Sequence, residues 1–166
     1  MTLVIRFIED RRLGFAALGA LAIAVGSVLS WIRVPQPIVG ITTGYGLQDD
    51  GKVTVVLGVL ALILVVAYAR VRQRDLAIGA ALLGLAAAGL AAAYIADLNR
   101  NAARVVGRLL AGNDTPIDPG AIASFPAKRG VGIYVIFAGA AALLIACAAL
   151  TLRAPETTEP ATQASA

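Results

Sequence analysis

Four uncharged stretches, residues 13–32, 53–69, 76–96 and 131–152, constrain this chain more than any motif in it. A helix rises 1.5 Å per residue, so about 20 apolar residues cross a hydrocarbon core of roughly 30 Å. Three of the stretches reach that length, and 53–69 sits at the lower limit of about 17 with room to extend by a turn. In lipid each backbone N–H and C=O must find its partner inside the protein, which a helix provides. The run "VTVVLGVLALILVV" has the β-branched content of a strand, yet four such runs together favour helices. The expected fold is an all-α integral membrane protein, a four-transmembrane-helix bundle over residues 13–152 with two extracytoplasmic loops.

Composition agrees. The 166-residue chain is 59% hydrophobic and 14% charged, with mean hydropathy +0.83, against about a quarter charged in soluble domains. The net charge of +4 would suggest nucleic acid in a soluble protein. Here the arginines cluster at the ends of the apolar runs, where topology and lipid headgroups explain them, and no nucleic-acid partner is expected. Lys and Arg total 14, of which 12 are Arg, and Ala, Gly and Val abound. That bias suits a GC-rich genome and a bacterial plasma membrane.

The first apolar run resembles a signal peptide around Ala20-Leu21-Ala22. It continues ten residues further, however, and Glu9 and Asp10 interrupt the basic segment, so an uncleaved helix is expected. Before it, residues 1–12 place Leu3, Val4, Phe7 and Ile8 at helical spacing, which suits a short interfacial segment. The first long loop carries Pro35, Pro37, Gly40, Gly44 and Gly46 and cannot be helical, although "PIVGITTGY" suits a short strand or ribbon. The turn "RVRQRD" is minimal. The third connection, residues 97–130, opens on an amphipathic helical pattern in which Arg100, Arg104 and Arg108 share one face. Residues 153–166 lack core-forming side chains and read as a disordered tail.

Sidedness rests on density rather than number. The N-terminal segment, the short turn and the tail hold 7 basic residues, and the two long loops also hold 7. Three Arg in one six-residue turn, with Arg11 and Arg12 beside a span, are the stronger retention signal, so both termini are expected in the cytoplasm. Trp31, Tyr94 and Tyr134 fall near span ends on one side and Tyr68 on the other, as in an aromatic belt.

Chemistry is scarce. No span contains Asp, Glu, Lys, Arg or His, the groups by which proton and ion pathways usually reveal themselves. With no His and one Cys, the chain forms no internal disulfide and no His/Cys metal site. Cys147 reads as a small buried hydrophobe. No catalytic set, metal site or cofactor site is expected. What the spans offer is smallness. Ala80, Gly84, Ala88 and Ala92 recur at every fourth position, continuing to Ala96, while Ala22, Gly26 and Ser30 repeat the register in span one and Ala138, Ala142 and Ala146 in span four. Such faces let helix backbones approach closely, either to close the chain's own bundle or to dock a partner helix. Span two, rich in Leu, Val and Ile, is expected to face lipid most.

At the outer face the expected contact residues are Trp31, Tyr45, Asp49, Asp50, Arg100, Arg104 and Arg108. Asp49 or Asp50 suits the cap of span two, where a carboxylate meets orphan N–H groups and the helix dipole. A calcium site would need some six to eight oxygen ligands, more than this loop presents.

Trp31 at the outer end of span one, Gly40 in the outer loop and Asp50-Gly51 before span two resemble a pattern in small four-span membrane proteins of actinobacteria. The resemblance covers about the first 70 residues, implies a four-span fold and carries no activity with it. The plan is also similar to that of claudin-like proteins, but the paired loop cysteines are missing. The expected function is a non-enzymatic accessory or scaffold subunit in contact with the bilayer and with other membrane protein subunits. The alternative is a small homo-oligomeric channel or transporter.

Overall fold

The computed structural model describes residues 10–36, 40–45, 51–98, 100–102 and 127–152, without the side chains of 34–45. Asp49, Asp50, Arg104, Arg108, most of the interfacial segment 1–12 and the tail 153–166 lie outside the described residues.

Helix α1 spans Arg11–Val28. It starts where it does because Asp10 caps it: Oδ1 accepts a hydrogen bond from the Arg12 backbone N at 3.3 Å. It ends four residues before the expected limit of 32. Leu29 turns to an extended conformation with ψ 171°, and Trp31 and Ile32 enter strand β1 (Ser30–Gln36). Pro35 favours this outcome, since the residue before a proline is driven to extended backbone. Strand β2 (Gly40–Tyr45) returns antiparallel, with Ser30 opposite Tyr45, Gln36 opposite Gly40 and an irregularity between Ser30 and Ile32. After α2 and α3, strand β3 (Lys128–Arg129) adds to the other edge of β1, giving the order β2-β1-β3. The two long connections thus carry a small sheet, where the sequence suggested a single strand or ribbon in the first of them.

Helix α2 spans Gly51–Val71, α3 Arg74–Ala96 and α4 Val131–Thr151. With α1, these are four helices long and apolar enough to cross a membrane. Even α1, with 18 residues, covers about 27 Å. The helices form a ring in chain order: α1 packs on α2, α2 on α3, α3 on α4, and α4 closes onto α1 in the most extensive interface, while α1 and α3 barely touch across the diagonal.

Glycine sets that last interface. Gly19 and Gly26 lie seven residues apart on α1, as do Gly132 and Gly139 on α4. A Cβ at Gly19 would come within 2.7 Å of the Gly139 carbonyl oxygen, and one at Gly139 within 2.7 Å of the Gly19 oxygen. Gly26 and Gly132 repeat the relationship, at 2.9 and 2.5 Å. Seven residues make about two turns, so both glycines of each helix share a face, and the backbones meet directly, as small residues allow in lipid. Gly58 brings α2 equally near α1, its missing Cβ lying 2.8 Å from Ala24 N.

Leu13, Ile23, Val65 and Leu143 fill the centre, each at most 2% exposed, with alanines of all four helices between them. The buried aliphatic hydroxyls of Ser27 and Thr54 are satisfied within their own helices, Ser27 Oγ donating to Ile23 O at 2.7 Å and Thr54 Oγ1 to Gly51 O at 2.9 Å.

Candidate functional site

The bundle has two unlike ends. At the sheet end, Trp31 lies beneath the strands, 1% exposed. Its Nε1 donates to Gly26 O at 3.1 Å, and its ring meets that of Tyr94 edge to face, centroids 4.9 Å apart and planes at 84°. Ile32, Ile133 and Ile136 complete this second apolar cluster. Asn101 Nδ2 donates to Tyr94 O at 3.1 Å, and the Gly130 N–H donates to Trp31 O at 2.7 Å, tying α4 to β1. The expectation that Trp31 forms an outer contact surface is corrected by this burial: its backbone joins the sheet, and the ring turns inward to satisfy its N–H.

The aromatic belt is corrected for the same reason. Tyr94 and Tyr68 are 5% and 4% exposed, whereas Tyr134 faces outward. Tyr45 belongs to β2, and Arg100 is exposed on a short helical stretch after α3.

The other end is an arginine end. Arg11, Arg12, Arg70, Arg72 and Arg74 gather there with Asp10 and Asp75. Arg72 and Gln73 alone connect α2 to α3. Arg72 takes a left-handed conformation, φ 58°, and its N–H closes on Tyr68 O at 2.8 Å. Its guanidinium lies 5.8 Å from the Tyr68 ring centre and 3.2 Å from Asp10 Oδ2. The last carbonyls of α4 are satisfied by its neighbours: Arg12 Nη1 donates to Ala149 O at 2.9 Å and Tyr68 Oη to Leu150 O at 3.5 Å. A cation at a helix C-terminus also suits the dipole.

The small-residue faces divide in a way the sequence did not reveal. Of the expected docking residues on α3, Ala80 and Gly84 are buried, Ala88 is half-buried and Ala92 is exposed. On α1, Gly26 is buried and Ala22 half-buried. A strict four-residue repeat turns about 40° per step around a helix of 3.6 residues per turn, so it leaves one face and enters another. The inward face of α3 is instead Ala77, Ala80, Gly84, Ala87, Ala91 and Tyr94. Its outward face changes character along its length. Ile78, Leu82 and Leu85 are large and exposed toward the arginine end. Toward the sheet end, Ala86, Gly89, Ala93 and Ala96 are exposed and small, and a Cβ at Gly89 would meet nothing within 4 Å. Helix α3, not α2, is the least enclosed span, with 28% of its window buried against 33%. Cys147 is buried. Among the described residues, no three His, Cys, Asp or Glu side chains come together.

No protein-family model and no curated protein matches the chain.

Proposed function

We propose that the chain is a non-enzymatic accessory or scaffold subunit of a larger membrane protein complex, docked through the outward face of α3. The observation that carries this reading is the contrast between two kinds of glycine. Gly19, Gly26, Gly132 and Gly139 are consumed in closing the bundle, whereas Gly89, with Ala86 and Ala93 beside it, stands open on the least enclosed helix. A small-residue surface of this kind suits close approach of a partner helix. Exposed Arg100, Lys128 and Arg129 at the sheet end extend the contact to a polar surface.

The channel or transporter alternative has less support. The interior of the single bundle is filled by Leu13, Ile23, Val65 and Leu143, and Ser27 and Thr54 spend their hydroxyls within their own helices. Conduction would have to run between copies of the chain.

We place the protein in a bacterial plasma membrane with the arginine end in the cytoplasm. Basic side chains among the described residues number five at each end, so the support is their position: three sit within the five residues 70–74 around a two-residue turn, where retention signals act most strongly. Mild-detergent purification from the native host tests the functional reading. Co-purification of a different membrane protein in fixed ratio is expected; a lone monomer or a pure homo-oligomer would refute it.

A further inference from the structure

The seam between α1 and α4 changes along its length. Gly26 meets Gly132 and Gly19 meets Gly139. One heptad further toward the arginine end, the same register sets Arg12 against Ala146. There a long side chain stands where the pairs above have none. A groove of about 380 Å³ opens, lined by Arg12, Phe15, Ala142, Ile145, Ala146 and Ala149. Its volume falls within the roughly 300–1,000 Å³ typical of ligand sites. Phe15 and Ile145 flank it, 60% and 70% exposed, and the three alanines leave the space between. Every lining group but Arg12 is apolar.

The groove wall is apolar throughout: Arg12 borders it with its methylene stem, and its guanidinium lies beyond, against the Ala149 carbonyl at the end of α4. Asp10, the acid nearest in the chain, is already engaged: Oδ2 pairs with Arg72 and Oδ1 accepts from the Arg12 backbone N. The Arg12 side chain uses one N–H toward Ala149 O of the five donors a guanidinium carries, and the neighbouring Arg11 is exposed. The groove opens sideways on helices long enough to cross a membrane, so what reaches it first is lipid.

We propose that this groove holds an acyl chain of one anionic phospholipid, with its phosphate at Arg12. The charge decides the class. A zwitterionic lipid offers the same phosphate but carries its own ammonium, and it gains less from a guanidinium beside the groove. This site is independent of the α3 docking face, and either assignment can fail alone.

Native mass spectrometry of the full chain, with phosphatidylglycerol or phosphatidylcholine of matched acyl chains, tests the proposal. The wild-type chain should retain one phosphatidylglycerol about five-fold more strongly than phosphatidylcholine, the factor expected of one basic group near a headgroup. Arg12→Gln should abolish this preference and Arg12→Lys restore it. Ala142→Phe, which fills the groove and leaves Arg12 in place, should reduce retention of both lipids. Because Arg12→Gln also removes a cap from α4, Ala142→Phe keeps the test decisive if the former unfolds. Equal retention of both lipids by the wild type would overturn the proposal. So would phosphatidylglycerol retention unchanged in Ala142→Phe, the result expected if a second copy of the chain fills the groove instead.

Discussion

Gly19 and Gly139 face each other across α1 and α4 so closely that a Cβ on either would lie 2.7 Å from the other's carbonyl oxygen. The neighbouring atoms are backbone, which cannot swing aside as a side chain can. Gly139→Ala should therefore destabilise the bundle by about 1–3 kcal/mol, as overpacking does in other cores, even though alanine is the better helix former. Gly89→Ala is the control. Nothing lies within 4 Å of its Cβ position, so it should gain about 0.5–1 kcal/mol from helix propensity. Thermal unfolding of the two variants in one detergent should move melting temperatures in opposite directions.

Trp31 should behave as a core residue. Trp31→Phe keeps an aromatic ring against Tyr94 but loses the bond to Gly26 O, at a cost of about 1 kcal/mol. Trp31→Ala should cost about 3–5 kcal/mol. As the only tryptophan in the chain, Trp31 reports on itself. Its emission should be blue-shifted and poorly quenched by a water-soluble quencher, and quenching as efficient as that of free tryptophan would refute the buried position.

Much of the bundle was legible in the sequence, and the parts that were not have identifiable physical causes. Hydropathy located all four helices because lipid demands long uncharged segments. It could not separate Val28 from Trp31, since an apolar run looks the same whether it ends a helix or begins a buried strand; only the conformation at Leu29 and the pairing of β1 with β3 distinguish them. The heptads Gly19/Gly26 and Gly132/Gly139 were passed over in favour of four-residue repeats, and which helix meets which is a tertiary fact. The repeat from Ala80 to Ala96 misled because it turns about 160° over its four steps. On α3 the exposed side of Gly89 follows from the positions of Ala77, Ala87 and Ala91 on the opposite side, a three-and-four alternation that the sequence also contains.

The turn at Arg72 combines a left-handed backbone with two side-chain contacts. Arg72→Gly should relieve the backbone and lose only the partly exposed contacts, staying within about 1 kcal/mol of wild type. Arg72→Ala loses the same contacts and keeps the unfavourable φ, so it should be less stable than Arg72→Gly by about 1 kcal/mol. Urea unfolding midpoints in mild detergent would order the three proteins; equal midpoints for the Ala and Gly variants would contradict the left-handed turn.

The outward face of α3 is where the functional reading stands or falls. A photo-crosslinking side chain installed at Gly89, in cells of the native host, measures directly what covers that face. The same side chain at Val56, exposed on α2, reports the lipid background. The account predicts a discrete adduct with a different membrane protein from position 89 and none from position 56. Adducts with lipid alone, or with a second copy of the chain, would contradict it.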